Sequence, residues 1–462
     1  MKTTIITNGR VVDPKQNLDK TTNIIICDGK IHSITDEISK DIEATADTVI
    51  DALGKVVSPG FIDIHMHEDE CYGMLDSCVS PDNLSDNMST SALHMGVTLD
   101  IAGNCGDNEC DPEKLLDYID SHGAPVNMGL LVGHTWLRNL HGHKDKYKPI
   151  TSAEIEKMVS DGKYYLDKGC LGISFGLKYI PGTTWDEVIS LSELCQKSNK
   201  LVAAHVRADV DGVYDAADEL ARMGKDAGVK VQFSHIGSMG GYGQMSKLLE
   251  MIKSYRENGI DMLCDCYPYN AFSTGIGETT YDDGFLESYQ ADYDSILIVN
   301  GKYAGQRCTK EIFEDLRKNA PNTGTVGYFM KGEDVDEALM SPLVMLGSDG
   351  VRHEGKGHPR ASGAFARFIC NYIATEKISL IDGISKMTTM AADRLNLTHK
   401  GNLLPGSDAD IVIFDLKKVK DLATYEDGQI PSEGFNYVLI AGEVALKDDQ
   451  IINDHLGKSV RL

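Results

Sequence analysis

Five apolar runs in this chain each end on a residue that can bind a metal or move a proton, and that recurrence restricts the fold more than any other feature. Phe61-Ile62-Asp63-Ile64 leads into His65 and, two residues on, His67; Val97-Thr98-Leu99-Asp100-Ile101-Ala102 leads into Gly103-Asn104-Cys105-Gly106. Leu201-Val202-Ala203-Ala204 leads into His205, Val229-Lys230-Val231-Gln232-Phe233-Ser234 into His235, and Leu343-Val344-Met345-Leu346-Gly347-Ser348 into Asp349. Short apolar runs of this kind read as buried strands. Alternate residues of a strand share a face, so His65 and His67 can bind one metal ion while Ile64 and Met66 pack behind them.

Between the runs lie segments with helical apolar spacing, such as Ile155-Glu156-Lys157-Met158-Val159 and Ala216-Ala217-Asp218-Glu219-Leu220-Ala221-Arg222-Met223. Strand and helix therefore alternate, which predicts an α/β fold built on a (β/α)8 TIM-type barrel. In such a barrel the C-terminal strand ends surround one pocket, so residues far apart in sequence can form one site. His205 and His235 stand about one strand-helix unit apart, which places them on neighbouring strands. The glycines beside Cys105 give a tight turn that can present its sulfur.

A barrel does not use all 462 residues. Both ends of the chain read as short β runs broken by turn signals: Thr4 to Asp13 and Asn23 to Ile31, with Asn8-Gly9 and Asp28-Gly29, at the start, and Asp408 to Asp415 and Tyr437 to Ala445 at the end. Residues 58–400 are left for the barrel, between β-rich ends at 1–57 and 401–462. A polar stretch at about 275–322 reads as an excursion that overhangs the pocket.

The formal charge of −25 excludes a phosphate-backbone footprint and hence nucleic acid as a partner. No apolar run is long enough to span a bilayer, and no apolar signal segment opens the chain. With 11 cysteines read as free thiols, the expectation is a cytoplasmic protein acting on a small molecule. The sequence leaves the oligomeric state open.

Taken together, these residues resemble the amidohydrolase superfamily, and within it the D-aminoacylase, or N-acyl-D-amino-acid deacylase, family. The resemblance rests on His65-Met66-His67, on Gly103-Asn104-Cys105-Gly106, on Val132-Gly133-His134-Thr135, and on Leu171-Gly172-Ile173-Ser174-Phe175-Gly176-Leu177 with Tyr179. It extends through Asp265-Cys266-Tyr267-Pro268-Tyr269, Gly347-Ser348-Asp349-Gly350 and His358-Pro359-Arg360. It implies that the β-rich ends, 1–57 and 401–462, pair into one small β-sandwich, which periodicity alone would not give. It also implies zinc-dependent hydrolysis of the amide bond of N-acyl-D-amino acids. Cys105, His205 and His235 would hold one tight Zn2+, with His65 and His67 lining a weaker second position. Asp349 would take a proton from water and pass it to the leaving nitrogen. A thiolate ligand favours zinc over harder ions.

Substrate contacts follow from the same resemblance: Arg360 and Tyr267 or Tyr269 for the substrate carboxylate, with Tyr179 also in the pocket. One cation of the family is missing, because Gly237 stands where it has lysine. Lys178 is a second departure, and three readings stay open for it: restoring the lost charge, bridging metals after carboxylation, or pointing to solvent. A cyclic-amide hydrolase of the hydantoinase or dihydroorotase kind is the nearest alternative, and a non-catalytic barrel scaffold the next.

Overall fold

The computed structural model describes residues 2–77, 84 and 87–462. Eight parallel strands form the central sheet: β1 (Phe61–Asp63), β2 (Val97–Ala102), β3 (Asn127–Gly133), β4 (Gly172–Gly176), β5 (Leu201–His205), β6 (Val231–Phe233), β7 (Met262–Cys266) and β8 (Val344–Leu346). Each pairs with the next in chain order. β8 returns to β1 through the bridge of Met66 with Gly350 and through Asp349 N–H donating to the His65 carbonyl at 2.7 Å, which closes a barrel. Asp63 staples that seam, since one of its carboxylate oxygens accepts from the backbone N–H of both His65 and Ser348.

Alternation along the strands decides what faces inward. Leu99 and Ile101 of β2, Leu201 and Ala203 of β5 and Met345 of β8 gather in one apolar cluster with Ile62, Leu131, Ala391 and Leu395. The odd positions of β5 then continue to His205, so the same period that buries the leucine carries the histidine into the barrel mouth. Even positions such as Val202, Ala204 and Val132 belong to the outer cluster, against the helices. Those helices carry their own start and stop signals. Ser152–Asp167 opens on a capping box in which Glu154 accepts from the Thr151 backbone at 2.7 Å, and Val213–Ala227 ends on Gly228 at φ 65°.

The termini build a second, separate nine-stranded sheet. Its path runs Gln450–Ile451, Glu443–Lys447, Phe435–Ile440, Ile411–Phe414, Val56–Pro59, Thr3–Asp13, Leu18–Cys27, Lys30–Thr35, and Thr48–Asp51 pairs alongside Thr3–Asp13. Ile6, Val11, Ile24 and Ile50 from the start of the chain meet Ile411, Ile413 and Leu439 from its end in a single core, so the one sheet folds over on itself.

The segment between β7 and β8 leaves the barrel and forms a three-stranded antiparallel sheet of Phe272–Gly275, Ile296–Ile298 and Gly324–Gly327. Phe285 stacks on Phe313 at 5.2 Å and Tyr281 crosses Phe285 edge-on at 5.3 Å, which gives this insertion its own aromatic core. Its first strand and its first turns face the barrel mouth.

Candidate active site

Three residues at the barrel mouth sit in left-handed backbone conformations: Cys105 at φ 54°, His235 at φ 36° and Asp349 at φ 53°. Such values are strained for non-glycine residues and persist only where the surroundings enforce them. The enforcement is visible in each case. Around Cys105, a Cβ at Gly103 would come within 2.1 Å of the Leu131 carbonyl and one at Gly106 within 2.6 Å of the Gly176 nitrogen, so the loop closes onto β3 and β4 only with glycine there. Ser174 of β4 accepts from Gly106 N–H at 3.0 Å and donates to the Gly103 carbonyl. The Asp265 carboxylate of β7 holds the His235 N–H at 2.7 Å.

The side chains so placed converge. Cys105 Sγ lies 3.4 Å from His65 Nε2 and 3.3 Å from His235 Nε2, while His67 Nε2 lies 3.2 Å from Asp349 Oδ1. Two ligand sets result, His65, His67, Cys105 and Asp349 in one and Cys105, His205 and His235 in the other, with Cys105 common to both. Donors about 2.3 Å (sulfur) and about 2.0 Å (nitrogen) from a tetrahedral zinc stand about 3.5 Å apart, which these S···N separations approach. His205 supplies a second test of fit. It is 6 % exposed, and neither ring nitrogen has a hydrogen-bond partner. A buried imidazole without partners is costly unless something else occupies its lone pair. Donor chemistry, spacing and this orphaned ring all fit a zinc ion.

At Cys105, His205 and Asp349 the electrostatics point the same way, whereas against the effect of burial Asp349 and Cys105 push His67 up to about 10. Burial alone would raise the Cys105 thiol, but the nearby His235 and His65 charges outweigh it and hold the thiol well below its ordinary range. Burial together with the His235 charge lowers His205 to about 4, so its ring is neutral and able to ligate. Asp349 is likewise buried, yet Arg360, His235 and His67 hold its carboxyl well below the usual carboxylate range. It is ionised throughout the neutral range.

Asp265 is a member of this machinery that sequence reasoning did not single out. Besides the His235 backbone it lies 3.0 Å from His65 Nδ1, and its other oxygen accepts from Gln232 Nε2 at 2.9 Å. The His65 contact falls off the ring N–H direction, so it orients the imidazole by charge more than by a linear hydrogen bond. Its sequence signal was an acid on the inward face of β7, the type of carboxylate that backs a metal-ligating histidine.

The expected substrate contacts divide. Arg360 and Tyr179 line the cavity above the ligands, together with Lys178, Asp209, Ser238, Met239, Thr280 and Tyr289. The Arg360 guanidinium carbon lies 4.6 Å from the centre of the Tyr267 ring, with Nη1 2.8 Å from Asp349 Oδ2 in a close ion pair whose N–H is not aligned on the oxygen. Tyr179 rests on the His205 ring at 4.4 Å. Tyr267 is fully buried beneath Arg360, its hydroxyl 3.9 Å from Met330 Sδ, so it supports the guanidinium and does not line the cavity. Tyr269 is not brought to the cavity at all. Its hydroxyl donates to Asp421 at 2.8 Å, and Arg367 covers its ring.

Both departures have a structural explanation. A Cβ at Gly237 would meet Cys266 Sγ at 2.8 Å, with Met330 and Val335 beyond, so a side chain at this position enters packed core. Lys178 does not point to solvent. Its Nζ lies 2.6 Å from Asp209 Oδ2 at the cavity wall, both side chains being about one-eighth exposed.

A model of the amidohydrolase family matches residues 316–446. The D-aminoacylase of Alcaligenes xylosoxydans xylosoxydans is 27% identical over 492 aligned positions, covering 98% of this chain and 96% of that protein. The N-acyl-D-aspartate deacylase of the same organism is 29% identical, covering 85% and 82%. Among solved structures, the N-acyl-D-glutamate deacylase of Bordetella bronchiseptica, complexed with zinc and a phosphonate mimic of the tetrahedral intermediate, superposes over the full length of both chains with a TM-score of 0.86 at 26% identity.

Proposed function

Since the chain belongs to the amidohydrolases, in their D-aminoacylase branch, we propose that it hydrolyses the amide bond of N-acyl-D-amino acids to a carboxylic acid and a D-amino acid. The observation that carries this reading is Cys105, a buried thiolate shared by two imidazole-rich ligand sets next to an ionised aspartate. A bound zinc ion supplies Lewis acidity, drawing charge from an amide carbonyl and acidifying water. Cys105, His205 and His235 would hold the tighter ion; His65 and His67, with Cys105 and Asp349, line the second position.

The remaining work falls to side chains of this chain. Asp349 starts as the base, accepts the proton of the attacking water and hands it to the amide nitrogen, which leaves only when protonated. Arg360, held over the Tyr267 ring, presents its guanidinium to the substrate carboxylate. Tyr179 lines the cavity with its ring 4.4 Å from that of His205, where it packs against the proposed ligand.

Initial rates of zinc-loaded protein on N-acetyl-D-amino acids, their L-isomers and dihydrouracil test the reading. Turnover confined to the D-series is expected. Faster turnover of dihydrouracil would transfer the protein to the cyclic-amide hydrolases. The relatives act, by name, on substrates with different side chains, so membership does not set the side chain preferred here.

A further inference from the structure

The cavity over the metal ligands has two compartments that meet at His67, Cys105 and Tyr179. The smaller, of about 160 Å3, contains Arg360 and Lys178. The larger, of about 420 Å3, contains neither; besides Glu68, Asn108 and Thr135 it is lined by Lys144 and by Lys146, which is paired with Glu278 at 3.2 Å. A substrate of the proposed kind, whose carboxylate sits on Arg360, has its carboxylate and its side chain on the same carbon. Both must therefore lie in the Arg360 compartment. The acyl group departs from the far side of the amide and takes the larger one.

In the smaller compartment the side chain meets Lys178 and Asp209. Their contact uses Asp209 Oδ2, which also accepts from the Tyr289 hydroxyl, so the carboxylate is fixed from two sides. Tyr289 is itself stacked on Phe329 at 4.7 Å. The Lys178–Asp209 contact leaves further N–H donors on Lys178 and the Oδ1 acceptor on Asp209, two residues that both line the compartment. Charge in the compartment balances: Lys178 faces Asp209 and Arg360 faces Asp349. The residues contributed by the insertion, Phe272 to Gly275, Thr280 and Tyr289, add no cation. A zinc ion and the Cys105 thiolate leave one positive charge over, which the substrate α-carboxylate cancels.

We propose that Lys178 and Asp209 form a side-chain selector that takes a neutral hydrogen-bonding group, a carboxamide above all, on the D-amino acid. Its oxygen accepts from Lys178 and its NH2 donates to Asp209 Oδ1. An acidic side chain would bring an unmatched negative charge beside Asp209, and an apolar one would bury the remaining Lys178 N–H donors and Asp209 Oδ1 unmatched. The proposal rests on the amide-hydrolase reading above.

The test is kcat/KM of zinc-loaded enzyme on N-acetyl-D-glutamine, N-acetyl-D-glutamate and N-acetyl-D-methionine, for the parent and for Lys178→Met and Asp209→Asn. In the parent, glutamine should lead each of the others by about tenfold or more. Lys178→Met should collapse the glutamine-to-methionine ratio toward one. Asp209→Asn should raise glutamate relative to glutamine by about tenfold, because the repelling carboxylate is gone. Two variants acting on different ratios keep the test valid if one folds poorly. A parent that turns over all three equally, or prefers methionine, overturns the selector while leaving deacylation intact. Hydrolysis of none of the three, with dihydrouracil turned over, overturns deacylation itself.

Discussion

The floor of this cavity, where the proposed metal ligands converge, and the wall proposed to face the substrate are held by different means. On the floor, Cys105, His235 and Asp349 each occupy a left-handed backbone position at a strand end, and each is locked by main-chain bonds or glycine packing to a neighbouring strand. On the wall, Lys178, Asp209 and Tyr289 come from two loops and the insertion, and are tied mainly side chain to side chain. The floor is therefore a property of the barrel, whereas the wall is a property of what the barrel carries. Chemistry should be rigid and specificity free to drift.

The sharpest way to break that comparison is at its centre. Cys105→Ala removes the one donor common to both ligand sets, so the folded variant should lose most of its zinc and activity on the order of a thousandfold or more. Elemental analysis of gel-filtered protein reads it, and parental zinc content would mean that the thiolate is not a ligand. Asp349→Asn should keep the fold and the tighter metal yet lower kcat by roughly 10^2 to 10^4, since an amide cannot carry the proton. Activity within threefold of the parent would refute the role.

Asp265 sharpens the comparison from behind the ligands. One of its oxygens restrains both His65 and His235, so Asp265→Asn should weaken zinc binding by about 10- to 100-fold, measured by chelator competition. A loss confined to kcat, with zinc affinity unchanged, would show that the histidines hold their places without it.

This division also explains what the sequence made legible. An inward-facing position near a strand end announces itself by period and by the apolar run before it, which is why the candidate ligands and Asp349 could be named along with the barrel. The terminal strands were legible from their turn signals, whereas their pairing into one sheet came from the family resemblance and not from period. Asp265 lay in a quoted motif, but its role depends on β1 and β6 standing beside β7, a neighbourhood that no local pattern encodes. Lys178 and Asp209 are separated by a strand and a helix, and their pairing is set by loop paths. At Gly237 the sequence showed the missing charge but not the surroundings, because a Cβ there would meet Cys266 Sγ, a neighbour that only the fold brings near.

The smallest effect is predicted where sequence and structure part. Tyr269 lies two residues beyond the buried Tyr267, in the segment whose family resemblance suggests a carboxylate contact, but the chain after β7 turns it outward to Asp421. Asp421 keeps Arg367 at 3.3 Å and the Ala423 N–H at 3.1 Å if the tyrosine hydroxyl is removed. Tyr269→Phe should thus cost about 1 kcal/mol of stability, the usual net value of one hydrogen bond whose acceptor retains other partners. Because neither the hydroxyl nor the ring reaches the cavity, kcat/KM on N-acyl-D-amino acids should stay within about twofold of the parent. The pair of measurements is a denaturant titration and a rate assay on the same preparation. A tenfold rise in KM at unchanged stability would return Tyr269 to the substrate site and would mean that the wall rearranges when substrate binds.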